Sequence, residues 1–366
     1  AMGCVLGPRL RFGLRDSCGA CRVSPVGLHC CQRGLAIAYP TAMKDIYERL
    51  REIGLDRPFV QRRVLPDWWD DAEANEPGCR AIAEIAVARY LHCSVGDVRA
   101  PAVPLSLPTL PAVRLKKQSS TPREKTLGTL HTACEALRSV CEALDGQPDG
   151  QALPAAPVLR REILASHNVV DLAGLLALCW GRGIAVMRLD DRPANSARIS
   201  GMAAVHDGRP CIVLGSSRKS PPWLAFHLAH ELGHIALGHV GTDGSIVADT
   251  DEQADIADAD EIAADEFAMH LLGGDGVESS PAPERASLES WLNWAGAWEA
   301  DGVDSGTAAL VLGRRTANYG LANRVVAALG KDRGGPEMVA SYLERHLADD
   351  LSDRTAQWLS AVGVTV

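Results

Sequence analysis

The chain has 366 residues, of which 46% are hydrophobic and 23% are charged, and its formal net charge is −9. This composition is typical of a folded, soluble protein that is long enough for two or three domains. The acidic balance argues against a main role in neutralising nucleic-acid phosphates, because that affinity depends on clustered lysine and arginine. No apolar run reaches the ~20 residues that span a bilayer, and no segment has the pattern of a signal peptide. We therefore expect a cytoplasmic protein with neither a membrane partner nor direct nucleic-acid binding.

Residues 1–42 are rich in glycine, arginine and cysteine and show no regular period. Two interpretations of this segment are open. Cys18, Cys21, Cys30 and Cys31 could bind a zinc ion, because a CxxC pair is half of a ribbon-like site, although adjacent cysteines are poorly placed to close one tetrahedral site. The alternative, which we favour, is a disordered extension. The other seven cysteines are scattered singly, which indicates reduced thiols.

Residues 43–100 are predicted to be helical, because Ile82, Ile85 and Tyr90 recur at helical intervals. The end of this region faintly resembles the first helix and turn of a helix-turn-helix motif. Prolines follow where the recognition helix would be needed, so a small helical bundle is the favoured interpretation. Residues 101–156 are predicted to be a proline-rich linker and a further helix.

Residues 157–275 mix helical and strand patterns. "VVDLAGLLALCWGRG" predicts a helix ended by glycine, and "IAVMRL" predicts a strand. "MAAVHDGRPCIVLGS" predicts two strands joined at Asp207-Gly208, a typical hairpin turn. Residues 276–366 return to helical patterns, so the region with strands is flanked by mainly helical regions.

One helix carries a cluster of histidines. "SPPWLAFHLAHELGHIALGH" begins with Ser220 as the N-cap and Pro221 in the first turn. His230 and His234 are four residues apart, so they project from one face and lie close enough to bind one zinc ion. Glu231 lies beside them, where its carboxylate can take a proton from an attacking water and pass it to the leaving amine. The HExxH spacing therefore predicts metal-dependent hydrolysis of a peptide bond.

A third ligand must come from elsewhere. His239 misses the HExxHxxGxxH register, which needs glycine at position 237 and histidine at position 240, so we interpret it as a helix-end histidine. "DADEIAADEFAMHLL", residues 258–272, predicts a helix packed on the core through an apolar stripe that includes Ile262. On this helix Glu261 and Asp265 share a face one turn apart, which would let Glu261 bind the metal and Asp265 orient a ligand histidine.

These segments together resemble the ImmA/IrrE family of zinc metallopeptidases. The resemblance covers roughly residues 157–275 and rests on "LLALCWGRGIAVMRL", on the hairpin with the histidine helix, and on "EIAADEFAMHLL". By position it implies a catalytic base, Glu231, and the Zn²⁺ ligands His230, His234 and Glu261. At position 265 the chain has aspartate where the family often has asparagine.

The resemblance further implies narrow proteolysis of a regulatory protein, typically a helix-turn-helix transcriptional repressor, in a stress response or in mobile-element induction. The alternative function is a nonproteolytic regulator that zinc merely stabilises and that acts through its flanking helical regions. The presence of Glu231 favours the enzyme, because a structural zinc site has no use for a base.

The sequence also suggests how a substrate would be held. We expect "CIVLGS", residues 211–216, to be an edge strand with which an extended peptide could pair, with an interior strand as the alternative. His206 and Tyr319 are candidates for stabilising the oxyanion. The predicted fold class is α+β: a zinc-peptidase core with a small twisted sheet and the HExxH helix, flanked by mainly helical regions.

Overall fold

The structure is a computed structural model, and it describes residues 43–74, 76–110, 113–115, 123–144, 152–241, 246–250, 259–348, 351 and 353–363. The cysteine-rich segment 1–42, with both interpretations of its cysteines, lies outside the described residues. Helices and one mixed sheet make up the described part, so the predicted α+β class is confirmed.

In the part of the chain that the structure describes before residue 152, the helices are α1 (Met43–Glu52), α2 (Arg57–Phe59), α3 (Pro77–Tyr90), α4 (Val95–Arg99) and α5 (Arg123–Cys141). A π-helical turn follows α2 at Val60–Val64, and a 3₁₀ turn lies at Asp71–Glu73. The α4 helix, which occupies the place of a recognition helix, has only five residues.

The face by which α3 packs differs from the expected one. Ile82 and Ile85 are 43% and 45% exposed, whereas Ala83 and Val87 on another side of the helix are fully buried. The helix has apolar residues on several sides, so periodicity alone does not single out the face that meets the core.

Among the described residues from 152 onward, the helices are α6 (Ala156–Leu164), α7 (Leu172–Gly181), α8 (Pro221–Ala236), α9 (Ala259–Gly273), α10 (Leu288–Ala297), α11 (Ser305–Arg315), α12 (Tyr319–Ala328), α13 (Gly335–Glu344) and α14 (Asp353–Leu359). Short 3₁₀ turns lie at Trp298–Asp301 and Ser360–Val362. The α8 helix covers the HExxH motif, and α9 carries the acidic residues that follow it.

The sheet contains β1 (Val113–Leu115), β2 (Ala185–Arg188), β3 (Ile199–His206), β4 (Arg209–Leu214) and β5 (Ile246–Thr250), in the order β1-β5-β3-β4-β2. The β3–β4 hairpin is antiparallel and pairs His206 with Arg209. Its turn residues Asp207 and Gly208 have φ values of 48° and 79°, the positive angles of a type I′ turn. The predicted hairpin is thus confirmed.

The expectation that β4 is an edge strand is wrong. β4 pairs with β3 on one side and, in parallel, with β2 on the other. Its backbone groups are therefore used on both sides, and an extended substrate cannot add to it. The hairpin sequence determines one neighbour of β4, whereas the β2 pairing joins strands that are distant in the chain.

The core has two apolar parts. The first joins the helices α1–α5 to the sheet and to α7, α8 and α13, and α13 packs against the outer strand β2. The second lies among α9–α12 and contains Trp291. The cysteines in the described residues are free and buried or half-buried. Among the described residues, no helix is both long enough and apolar enough to cross a membrane.

Candidate metal centre

The α8 helix presents the histidines. It begins after Ser220 with Pro221 in its first turn, as predicted, but the Ser220 hydroxyl does not cap the helix and instead donates to the carbonyl of Lys331 at 2.8 Å. The helix is buried along most of its length, and His230 and His234 are 3% and 0% exposed. Burial of two imidazoles on an apolar helix requires partners for their ring nitrogens.

A close helix crossing supplies the first partner. At Gly233, between the histidines, a Cβ atom would lie 3.2 Å from the Cα atom of Ala264 on α9. These two small residues therefore let α9 approach α8 closely and bring Glu261, which is 7% exposed, to the histidines. Ile262, which we expected in the buried stripe of α9, is instead 45% exposed, because the buried side of this helix is the one that carries Glu261.

Three residues bring their donor atoms together, within 4.8 Å of one another. The Nε2 atoms of His230 and His234 are 3.1 Å apart. Glu261 places its Oε2 atom 3.3 Å from His230 Nε2 and its Oε1 atom 3.5 Å from His234 Nε2. This buried set of His230, His234 and Glu261 could hold a metal ion.

The outer nitrogens of the two imidazoles fix their orientation. His230 Nδ1 lies 2.9 Å from Asp265 Oδ1, so Nδ1 carries the proton and donates it to the carboxylate. His234 Nδ1 lies 2.9 Å from Nδ1 of His239, whose Nε2 atom is 3.6 Å from Asp260 Oδ1. When His234 Nδ1 donates to His239 Nδ1, both Nε2 atoms direct lone pairs at the Glu261 carboxylate. Three electron-rich groups in contact repel one another unless a cation lies among them, so the donor set fits a metal ion.

His239 reaches His234 through the way α8 ends. Gly238 has a φ of 72°, and the backbone N–H groups of Gly238 and His239 donate to the carbonyls of Ile235 and His234 at 3.2 and 2.9 Å. This is a Schellman motif, in which the residue after the glycine folds back against the last turn. His239 is therefore more than a helix-end histidine. The glycine directly before it was the sequence signal that could have revealed this contact.

Glu231 lies against the sheet. It is 1% exposed, and a Cβ atom on Gly201 of β3 would be only 2.1 Å from its Oε1 atom. The absence of a side chain at Gly201 therefore makes room for this carboxylate. The HExxH pattern gives no sign that a glycine on a distant strand is needed.

Asp265 has a second partner outside the histidine helix. Arg314 of α11 places a guanidinium nitrogen 3.6 Å from Asp265 Oδ2, while the other carboxylate oxygen of Asp265 accepts from His230. The C-terminal helices thus contribute a positive charge beside the centre. No short motif links Arg314 to the histidines, so the sequence did not reveal this contact.

The two oxyanion candidates lie on different elements, β3 and α12. His206 is five residues further along β3 than Gly201, a separation of about 16 Å in an extended strand. Its Nε2 atom lies 3.6 Å from Asp207 at the hairpin turn. Tyr319 begins α12, and its ring is 5.7 Å from that of Trp223, nearly two turns before His230 on α8. The separation along β3 keeps His206 away from Glu231, which lies against Gly201.

The segment that contains this centre matches a known protein family. Residues 179–273 match the family model Peptidase_M78, which is described as the IrrE N-terminal-like domain. This segment belongs to the ImmA/IrrE family. No curated protein and no solved structure matches the chain. The resemblance found from the motifs is thus confirmed.

The IrrE N-terminal-like domain contains the whole donor set. The matched segment runs from the end of α7 to the end of α9, and it includes Gly201, the HExxH helix and Glu261. A peptidase family with a buried His-His-Glu cluster supports a metallopeptidase-type function. Arg314 and Tyr319 lie beyond the match, in helices that pack onto the domain.

Proposed function

We propose that the protein is a zinc-dependent metallo-endopeptidase. The observation that carries the proposal is the close spacing of the donor atoms that His230, His234 and Glu261 contribute. Tetrahedral zinc with bonds of about 2.0–2.1 Å separates its ligand atoms by about 3.3–3.4 Å. The two Nε2 atoms are 3.1 Å apart, and they lie 3.3 and 3.5 Å from the two oxygens of the Glu261 carboxylate, so the cluster is compact enough to hold one such ion. Two imidazoles and one carboxylate are also a donor set found in catalytic zinc sites.

In this proposal each residue of the centre has a distinct role in metal binding or in proton transfer. His230, His234 and Glu261 would hold zinc, which supplies a water of lowered pKa and a Lewis acid for the peptide carbonyl. Glu231 accepts the proton of the attacking water and delivers it to the amine as the peptide bond breaks. Asp265 and His239 keep the two imidazoles in the tautomer that leaves Nε2 free to bind the metal. Burial of Glu231 keeps bulk water from competing for its proton.

The competing proposal is a nonproteolytic regulator in which the metal only stabilises the fold. A structural zinc site is normally closed by four protein ligands. Within the described residues the cluster has three, and Glu231 lies beside it with a glycine-lined recess for its carboxylate. A buried recess that holds a carboxylate beside the donor atoms is expected for a catalytic base and not for a purely structural site, so we favour the enzyme.

We further propose that the substrate is a DNA-binding regulatory protein, with a helix-turn-helix repressor as the leading candidate, in a stress response or in mobile-element induction. Two observations support this proposal. The matched segment belongs to the ImmA/IrrE family, for which such substrates are the expectation stated above. In addition, the chain directly before Glu261 is acidic: residues 249–260 contain six aspartates and glutamates and no lysine or arginine. Such a segment suits a basic partner.

Elemental analysis of the purified protein tests the metal. We expect about one zinc per chain and a large loss of zinc in Glu261→Ala. Glu266→Ala, an exposed glutamate on the same helix, is the matched control and should keep its zinc. A chain that binds no zinc under conditions that avoid stripping would refute the proposal.

Cleavage is tested with Glu231→Gln, which should keep zinc and lose hydrolysis. The soluble proteins of the source cell are incubated with the zinc-loaded wild type or with the variant, and new protein N-termini are identified by mass spectrometry. We expect a small set of new termini with the wild type alone. Equal sets for both proteins would contradict the role of Glu231, and zinc binding without any new terminus would favour the nonproteolytic regulator.

The acidic segment is tested at low salt, where charge attraction is screened least. Four of its residues are neutralised to the corresponding amides: Asp251, Glu252, Asp255 and Asp258. The control neutralises four exposed acids elsewhere: Glu278, Glu284, Glu289 and Glu337. Slower cleavage in the first variant alone is expected, and unchanged kinetics would count against substrate capture by this segment.

A further inference from the structure

An apolar cavity lies beside the metal centre, on the part of α8 that precedes His230. Its volume is about 50 Å³, and its lining comes from four helices: Trp223 and Phe226 of α8, Met269 of α9, Leu310 and Arg314 of α11, and Tyr319 of α12. The first two helices carry the donor atoms of the centre, whereas α11 and α12 lie beyond the matched segment. The cavity therefore joins the peptidase-type domain to the C-terminal helices.

Two side chains that line the cavity lie close to residues of the metal centre. The Phe226 ring centroid is 6.4 Å from that of His230. On another wall, Arg314 lies 3.6 Å from the Asp265 carboxylate, which accepts the Nδ1 proton of His230. The cavity wall is therefore one side chain away from the metal ligand His230.

The cavity has a buried floor and a partly open rim. Met269 and Leu310 are 5% and 7% exposed, whereas Tyr319 is 41% exposed. Trp223 is held in place, because its ring packs against Tyr319 and its Nε1 atom donates to Asn323 at 3.0 Å. A concave apolar site with a rigid aromatic rim is the usual form of a pocket that receives a ligand group.

We propose that this cavity is the substrate side-chain subsite next to the cleaved bond, and that it takes a small aliphatic side chain. The proposal rests on the proposed peptidase function. It also gives the C-terminal helices a role, because they build half of the specificity pocket. A volume of about 50 Å³ is far below the roughly 150 Å³ of a cavity that accepts benzene. The size therefore favours a side chain such as that of valine over an aromatic ring.

The experiment uses the full-length zinc-loaded protein and three probes whose hydroxamate groups bind zinc: glycine, valine and phenylalanine hydroxamate. Dissociation constants are measured by calorimetry, so no cleavable substrate is needed. Each buried CH₂ group strengthens binding by about fourfold. We expect valine hydroxamate to bind at least about tenfold more tightly than glycine hydroxamate, and phenylalanine hydroxamate to gain less than about threefold.

Two variants change the size of the cavity in opposite directions. Leu310→Ala enlarges it and should shift the preference from valine toward phenylalanine hydroxamate, whereas Thr307→Leu narrows it and should remove the preference for valine. Val325→Ala, a buried residue of α12 outside the lining, is the control and should keep the wild-type order of affinities. The comparison of the three probes on the unaltered chain stands even if a variant fails to fold.

The outcomes separate this subsite from the function on which it rests. If glycine hydroxamate binds the zinc-loaded protein but valine hydroxamate binds no more tightly, the subsite is overturned and the peptidase proposal stands. If the chain holds no zinc, or if none of the three probes binds the zinc-loaded chain, the peptidase proposal fails and the subsite fails with it.

Discussion

Replacement of Gly201 by alanine is the sharpest test of where Glu231 has to lie. The added Cβ atom would be 2.1, 2.7 and 2.8 Å from the Oε1, Cδ and Cγ atoms of Glu231, whereas ordinary contact begins at 3.4 Å. The carboxylate oxygen must therefore move by more than 1 Å. The strand has little freedom to yield instead, because β3 is paired with β4 on one side and β5 on the other.

The size of the effect follows from this displacement. A catalytic group misplaced by about 1 Å can cost about 100-fold in rate, equivalent to about 2.7 kcal/mol of transition-state stabilisation. Overpacking of a buried site costs about 1–3 kcal/mol of folding free energy, so we expect the variant to fold with reduced stability. Zinc should be retained, because Gly201 contacts the base and not the three donor residues.

The assay compares zinc content and the initial rate of cleavage of a protein identified by its new N-terminus. Gly181→Ala is the control, because a Cβ atom at that position meets nothing within 4 Å. Full cleavage by Gly201→Ala would show that Glu231 does not act from its recess against β3. Loss of zinc together with activity would show that the whole histidine helix had shifted, which would also refute the reasoning.

Three further outcomes are expected. His239→Ala should weaken zinc binding by about 10-fold to 100-fold, because His234 loses the partner that orients its ring. His270→Ala, at an exposed histidine, is the control and should leave the zinc affinity unchanged. A competition titration that gives the wild type and His239→Ala the same zinc affinity would contradict this prediction. Asp265→Ala should weaken zinc binding to a similar degree through His230, and a variant with unaltered affinity would show that the 2.9 Å contact has no orienting role. Burial lowers the pKa of His131 from 6.5 to about 4. Between pH 6.5 and pH 4 the unfolded chain therefore binds a proton at this histidine that the native chain does not bind. The free energy of unfolding consequently falls as the pH drops from 6.5 to 4. His131→Gln should reduce this acid-induced loss by about 3 kcal/mol in urea unfolding of the metal-free protein, and identical pH profiles would refute the assignment.

Much of the centre could be predicted from the sequence because it depends on local geometry. The pitch of a helix places residues four apart on one face, so the spacing of His230 and His234 defined two of the three residues of the donor set. In the same way, Asp207-Gly208 defined a hairpin through the positive φ angles it accommodates. The fold class followed from these local patterns, and the family match at residues 179–273 agrees with it.

Contacts between distant parts of the chain were decided only by the tertiary structure. The crossing at Gly233 and Ala264 sets how closely Glu261 approaches the histidines, and it depends on which faces of two helices meet. The β2 pairing that makes β4 an interior strand, and the position of Arg314 beside Asp265, likewise join segments that no local period connects. Periodicity reports the direction of a side chain relative to its own element, whereas a metal centre requires the relative placement of several elements, and only packing fixes that placement.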